Sequence, residues 1–252
     1  MDIKKLKKNW DAFGKTDPLW AILQAADKKG NKWHREEFFQ SGVSEIDTVM
    51  HYVESLGTSM PRGRALDFGC GVGRLTQALT HYFAQVDGID IAPSMITLAR
   101  EYNQHGDKCT YHLNETTDLG LFADNSFDFI YSNITLQHME PRYAKQYIQE
   151  FIRVLTPQGL LVFQLPSTSV VEIPAPDKFE QRLKRGIGKL IRSAVPAALL
   201  QLVHIEPISE CYGIEKEELK HFLKSNGGKT VDITQDNCTP GWISFRYCVA
   251  KN

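Results

Sequence analysis

An α/β architecture built on a doubly wound, mostly parallel seven-stranded sheet is the fold this sequence predicts. Three observations predict it. Between Gly63 and about Pro166, short apolar runs alternate with amphipathic segments. The first run ends in the glycine-rich stretch "ALDFGCGVGRL", Ala65 to Leu75. At the far end, "KTVDIT" and "WISFRYCVA" are joined by the turn-rich "QDNCTPG", which predicts an antiparallel pair closing the sheet.

The elements follow in chain order. Met1 to about Arg62 reads as helical and aromatic, carrying Trp10, Phe13, Trp20, Trp33, Phe38 and Phe39. Its clearest helix is expected to begin at Ser44, where "SEIDTVMHYVESLG" puts Ile46, Val49, Met50, Val53 and Leu56 on one face. Ser44 with Asp47 fits a capping box, and Gly57 suits the position just past the helix end. "RALDF", "VDGID", "CTYHL", "FDFIYS" and "LLVFQL" are the expected strands of the parallel region. Helices are expected to open at Gly73, Pro93 and Pro141, since proline at a first helical position loses no hydrogen bond. An insertion at about Ser167 to Ile208 precedes a further helix, "GIEKEELKHFLKSNGG". The expected division is therefore an N-terminal helical segment, residues 1–62, that serves as a substrate lid, and a main domain, residues 63–252, with a cap insertion at about 167–208.

Composition narrows the function classes. At 252 residues, 42% hydrophobic and 23% charged, the chain can bury one large core and a modest appended segment. A net charge of −1 supplies no global field to gather nucleic acid or anionic membrane. The five cysteines, Cys70, Cys109, Cys211, Cys238 and Cys248, show neither a C-x-x-C pair nor a zinc-ligand spacing. A reduced cytoplasmic protein without a bound metal is the expectation. "MDIKKLKKNW" has lysines with no apolar core after them, and no apolar run approaches the ~20 residues of a membrane span, so neither secretion nor a transmembrane anchor is expected.

The glycines carry the chemistry. A strand ending in Asp67, then Gly69, Gly71 and Gly73, then a helix, is a nucleotide-type loop whose bare backbone can lie against a ligand. A dinucleotide fingerprint would read G-x-G-x-x-G and receive a pyrophosphate at the helix N-terminus. Here the spacing is G-x-G-x-G, and Arg74 stands where that third glycine would be. Asp67 would repel a pyrophosphate but suits an ammonium or sulfonium group. Asp90, ending the second strand in "DGIDIAPSMI", can accept both hydroxyls of a ribose. The site therefore calls for a nucleoside with a positively charged tail.

These residues resemble the class I S-adenosylmethionine-dependent methyltransferases of the small-molecule type, whose fold is a Rossmann-like sheet with an antiparallel C-terminal strand. The resemblance covers roughly Ala65 to Pro166 and rests on "LDFGCGVGRL", "VDGIDIAPSMI", "FADNSFDFIYSNITLQHM" and "RVLTPQGLLVFQLP" in that order. It implies S-adenosyl-L-methionine as cofactor, S-adenosyl-L-homocysteine as product and a small-molecule acceptor methylated on oxygen or nitrogen. By resemblance, Asp67, Gly69 and Gly71 would meet the methionyl end, Asp90 the ribose and Ile91 the adenine, with Cys70 and Asn133 also at the cofactor. The loop "NETTDLGLF" would cover the adenine edge through Thr116, Thr117 and Asp118, although the family's acidic-then-small pattern is absent there.

Other candidates are weighed beside plainer readings. His138 in "TLQHM" lies just past the fourth strand, at the crevice of an open sheet, and is the candidate catalytic base; the plainer reading is a loop histidine without a task. His204, Glu206 and Tyr143 are weaker candidates for the same role. Trp10, Trp20 and Trp33 are core aromatics or groups that stack on substrate. The stretch from Lys178 to Arg192 is a cap over the site or a basic amphipathic helix on a membrane surface. Amino-methylating enzymes that act on nucleobases or glutamine resemble one another in an [N/D]-P-P-[Y/F] signature, where this chain has "SNIT". Neither Cys70 nor Cys109 follows a proline, as a cytosine-carbon methyltransferase nucleophile would, and nucleic acid is a minor alternative. A lipid or lipid-linked glycan acceptor, an NAD-dependent oxidoreductase and a non-catalytic binding module stay open, as does the choice between monomer and homodimer.

Overall fold

The computed structural model describes residues 2–170 and 210–252. Seven strands form one sheet in the order β3-β2-β1-β4-β5-β7-β6. They are β1 (Arg64–Phe68), β2 (Gln85–Asp90), β3 (Cys109–Leu113), β4 (Phe127–Ser132), β5 (Leu155–Ser169), β6 (Gly228–Asp236) and β7 (Trp242–Lys251). The pairs β1/β2, β1/β4, β2/β3 and β4/β5 are parallel, whereas β7 runs antiparallel to both β5 and β6. The expected doubly wound sheet with an antiparallel C-terminal strand is the one observed. Its order reverses at β1, so the loops after β1 and β4 diverge there and open a crevice at the carboxyl ends of the strands.

Alternation along each strand divides the core into two layers. On one side Leu66, Ile130, Leu161 and Phe163 pack with α6 (Pro141–Val154) and α7 (Lys216–Ser225) through Ile148, Phe151, Leu219 and Leu223. On the other, Ala65, Val86, Phe129 and Val162 meet α3 (Arg35–Ser55) and α4 (Arg74–Leu79) through Ile46, Val49, Met50 and Leu79. A third apolar group joins the N-terminal helices α1 (Ile3–Thr16) and α2 (Pro18–Ile22) to the glycine loop and to α5 (Pro93–Tyr102). It contains Phe13, Ala21, Phe38, Val72 and Met95. Polar anchors set the angle: Asp11 Oδ1 accepts the Ser94 N–H at 3.0 Å, and Ser94 Oγ donates to the Asp11 carbonyl at 2.9 Å.

Two expectations are corrected. The long N-terminal helix begins at Arg35, not Ser44, with Glu36 and Glu37 in its first turn, where the helix dipole favours acids. Ser44 is therefore interior and donates from Oγ to the Gln40 carbonyl one turn back, at 3.2 Å, so no capping box exists there. Gly57 does follow the helix end, with φ of +67°. β5 is also longer than "LLVFQL". It takes in Thr156, Pro157 and Gly159 because Leu155 pairs with Phe127 before an irregularity realigns the two strands. The expected insertion at about 167–208, with its basic stretch, lies outside the described residues apart from residues 167–170, of which Ser167, Thr168 and Ser169 end β5. Among the described residues, no helix is long and apolar enough to cross a membrane.

The fit of α3 against α4 can be tested at Gly42. A Cβ there would lie 2.6 Å from the Arg74 carbonyl oxygen and 2.8 Å from Arg74 Cγ. Alanine is favoured over glycine in a helix interior by about 1 kcal/mol, but forcing backbone apart costs about 1–3 kcal/mol, so the clash prevails. Gly42→Ala is expected to lower the urea midpoint; an unchanged or raised midpoint would show that the two helices are not in this close contact.

Candidate active site

The loop between β1 and α4 is held open for a ligand by its backbone. Gly69 and Gly71 adopt φ of +79° and +52°, a region that side chains other than glycine rarely enter. There is also no room for one. A Cβ on Gly69 would lie 2.3 Å from the Thr135 side chain, and one on Gly71 would lie 2.6 Å from Ile22 Cδ1. The N–H groups of Gly69 and Cys70 both donate to the Ile89 carbonyl, at 2.9 and 3.0 Å, which pins the loop over the end of β2.

Asp90 sits at that end. Its Oδ2 accepts the Gly71 N–H at 2.9 Å and its Oδ1 accepts the Ala92 N–H at 2.8 Å. Burial raises its pKa above the usual carboxylate range, while the N–H groups of Ala92, Gly71 and Ile91 hold part of that rise back. The Gly71 and Ala92 N–H groups take one acceptor site on each oxygen.

Around this carboxylate lies a cavity of about 360 Å³. Gly69, Cys70, Gly71, Ile89 and Asp90 form one wall. Trp10 of α1 and Ile22 of α2 cover it, and Cys238 and Pro240 reach it from the loop between β6 and β7. A further part of the lining is the segment after β4, which includes Ile134, a β-branched residue at φ of +54° and therefore a strained one. His138 lies on this wall with Nδ1 3.0 Å from the Glu210 carbonyl and its ring 5.2 Å from that of Trp10, edge to face. Burial lowers its pKa below 6.5, opposed in part by the Glu210 and Ile134 carbonyls, so the imidazole is neutral at neutral pH.

A partly buried polar cluster adjoins the cavity. Glu45 of α3 accepts from Arg74 Nη2 at 2.7 Å on Oε2, and from Tyr131 OH and Asn133 Nδ2 at 3.0 and 2.8 Å on Oε1. Arg74 is only 4% exposed. Asp67 lies within the same field. Burial lifts its pKa to about 7; Thr76 and Arg74 oppose the rise, while Glu45 and Asp90 add to it. Among the described residues here, the carboxylates of Glu45 and Asp90 stand against one guanidinium, an imbalance that suits a cationic ligand.

Of the residues singled out from the sequence, Gly69, Cys70, Gly71, Asp90, Ile91, Asn133 and His138 come together on this one cavity. Asp67 does not line it. Strand alternation turns its side chain toward α4, where Oδ2 accepts from Thr76 Oγ1 at 2.6 Å, while its neighbour Phe68 faces the cavity. Thr116, Thr117 and Asp118 are also off the cavity. Thr116 bonds within its own turn to Asn114 and Asp118, and Thr117 Oγ1 accepts from Gln146 Nε2 at 3.1 Å. Asn114, at the start of the same loop and 4% exposed, lines the cavity in their place. Its N–H donates to the Asp90 carbonyl at 2.9 Å, a tie that the β2/β3 register dictates.

Trp10 faces the cavity, but Trp20 and Trp33 do not; their indole N–H groups bond the Ala25 and Leu23 carbonyls at 3.0 and 3.1 Å. Tyr143 packs against the core beneath the Arg142 guanidinium, away from the cavity. His204 and Glu206 lie outside the described residues. Sequence reasoning missed Asn114 and Glu45, and took Arg74 only as the loss of a glycine.

A family model described as a methyltransferase domain matches residues 66–163. Over 229 residues the chain is 29% identical to the biotin biosynthesis bifunctional protein BioHC of Cellvibrio japonicus, covering 85% of this chain and 44% of that protein. Over 132 residues it is 28% identical to a ubiquinone biosynthesis O-methyltransferase of Xanthomonas campestris pv. campestris, covering 52% and 54%. The chain spans about half the length of these relatives. Its fold is similar to that of the magnesium protoporphyrin IX methyltransferase of Synechocystis PCC 6803, solved with bound SAH. The TM-score is 0.63 at 16% identity, with 100% of both chains covered.

The raised pKa of Asp67 has a consequence for stability. The folded chain keeps this proton up to about pH 7, whereas an unfolded carboxyl loses it near 3.8. Folding therefore takes up a proton between those values, and stability falls as pH rises through the window. In Asp67→Asn the amide can still accept from Thr76 but never ionises. Its urea-unfolding free energy, relative to the unaltered protein, is expected to become more favourable from pH 4 to 7; a constant difference would show that Asp67 is ionised throughout.

Proposed function

Residues 66–163 belong to the methyltransferase domain family, and from that premise we propose that the chain is an S-adenosylmethionine-dependent methyltransferase acting on a small-molecule acceptor. The observation that carries the reading is the Asp90 carboxylate fixed beside the bare backbone of Gly69 and Gly71 on a cavity wall. These residues fit a nucleoside with a cationic tail. The Asp90 carboxylate at the end of β2 suits ribose hydroxyls, Ile89, Ile91 and Met95 offer apolar surface to a base, and Asn114 offers an amide to its edge. The surplus of carboxyl groups suits the positive sulfur.

When bound, the cofactor supplies an electrophilic methyl group on a sulfonium. The chain's own work is then positional. Trp10, Ile22 and Leu6 cover the cavity and exclude water, and the wall from Asn133 to Met139 gives the acceptor a fixed surface. Such positioning can supply roughly 7–11 kcal/mol of the barrier. A hydroxyl acceptor must also lose a proton, and the neutral imidazole of His138 on the same wall can receive it. Oxygen as the methylated atom is in keeping with the O-methyltransferase named among the relatives. The substrate-lid role of residues 1–62 is supported by Trp10 and Ile22 above the cavity.

Calorimetric titration tests the reading. S-Adenosylmethionine and S-adenosylhomocysteine are expected to bind and NAD is not, and Asp90→Ala should weaken the first two by about 1.5–3 kcal/mol, the scale of hydrogen bonds to a charged group. Binding of NAD instead, or of none of the three, would overturn it.

A further inference from the structure

Arg74 and Asn133 line the cavity, yet each is left with polar capacity that the fold does not use. Arg74 Nη2 donates to Glu45 at 2.7 Å and Nη1 to Ser41 Oγ at 3.3 Å, but Nε is buried with no acceptor among the described residues. A guanidinium buried to this extent and only partly paired is costly to keep unless a further acceptor arrives. The Asn133 amide is in the complementary state. Its Nδ2 is committed to Glu45, which leaves its carbonyl oxygen as the acceptor it can offer.

Glu45 thus holds both groups from a different part of the chain. It belongs to α3, reaches across to α4 and to the end of β4, and spends its two oxygens on Arg74, Tyr131 and Asn133. Burial and the Glu45 carboxylate keep the Tyr131 phenol protonated, so that bond persists. The resulting pair, N–H groups on Arg74 and a carbonyl oxygen on Asn133, complements a group bearing a carboxylate and an ammonium. Asp90 ends β2 and Asn133 follows β4, with β1 between them. Two strand spacings, roughly 10 Å, therefore separate the Asp90 and Asn133 ends of their strands. That span suits a nucleoside at one end and an amino-acid tail at the other.

We propose that Glu45 is a positioning residue that presets Arg74 and Asn133 to receive the zwitterionic amino-acid end of S-adenosylmethionine. The proposal rests on the methyltransferase reading above. It makes the N-terminal helix α3 part of the cofactor site, although the family match begins at residue 66.

The test compares two ligands that share the nucleoside thioether. S-Adenosylhomocysteine carries the amino-acid tail and 5′-methylthioadenosine lacks it. Both are titrated by calorimetry into the unaltered protein and into Glu45→Gln, with folding checked by circular dichroism. The expected result is that Glu45→Gln binds S-adenosylhomocysteine about tenfold or more weakly, the scale of losing charge-assisted hydrogen bonds, while methylthioadenosine binding stays within about twofold. Equal weakening of both ligands would mean that Glu45 is only scaffolding, and no weakening of either would mean that it does not act on the site; both outcomes overturn the proposal. Asn133→Ala, at a partly exposed position, is expected to show the same selective loss and stands in if Glu45→Gln does not fold. If the unaltered protein binds neither ligand, the methyltransferase reading itself falls.

Discussion

Geometry in the cavity is referenced to a single carboxylate that accepts hydrogen bonds from two different loops. Asp90 takes the Gly71 N–H from the turn after β1 and the Ala92 N–H from the turn that opens α5. A neutral amide in its place could not accept on both sides, since one of its two heavy atoms only donates. The glycines matter because they let the first of those turns come close enough. With Thr135 on one side and Ile22 on the other, the backbone at Gly69 and Gly71 has no space for a β-carbon. Sheet, loop and covering helices therefore constrain one another at a single point.

Electrostatics extends the same constraint into the N-terminal region. The carboxylates of Glu45 and Asp90 face the one guanidinium of Arg74, while Asp67 keeps its proton up to about pH 7. In low-dielectric surroundings such an imbalance is unfavourable for the protein alone. It is relieved when a cation binds, so the same arrangement that costs stability provides selectivity. Partial burial strengthens the effect, because it reduces screening by solvent.

Much of the fold was legible because the parallel strands are short apolar runs bounded by turn residues. β3 and β4 match the expected "CTYHL" and "FDFIYS" residue for residue. Legibility failed where tertiary context overrode a local signal. Ser44 looks like a cap by type, yet the helix runs through it because Phe38 and Gly42, earlier in the same helix, pack against the loop and α4. Pro157 and Gly159 look like a turn, yet β5 continues across them. The site divides in the same way. Asp90 and the glycines announce themselves by position in a strand–loop–helix pattern. Asn114 lies two residues short of the expected adenine contacts, because the turn that follows it directs Thr116 and Asp118 toward one another. Glu45 carries no local signal at all: its partners are 29, 86 and 88 positions away in the chain.

The covering of the cavity by α1 and α2 is largely apolar: Phe13, Ala21 and Ile22 meet Val72, Ala92 and Met95, with Asp11 and Ser94 as the polar anchor. If a ligand enters beneath these helices, those surfaces part and then close over it. The opened state exposes hydrocarbon to water, so its free energy carries a positive heat capacity and varies with temperature along a curve. Entry and release would then have no single activation enthalpy. The chain would trap its ligand most firmly near the temperature at which apolar contacts are strongest and loosen its hold on cooling, as a purely hydrogen-bonded latch would not.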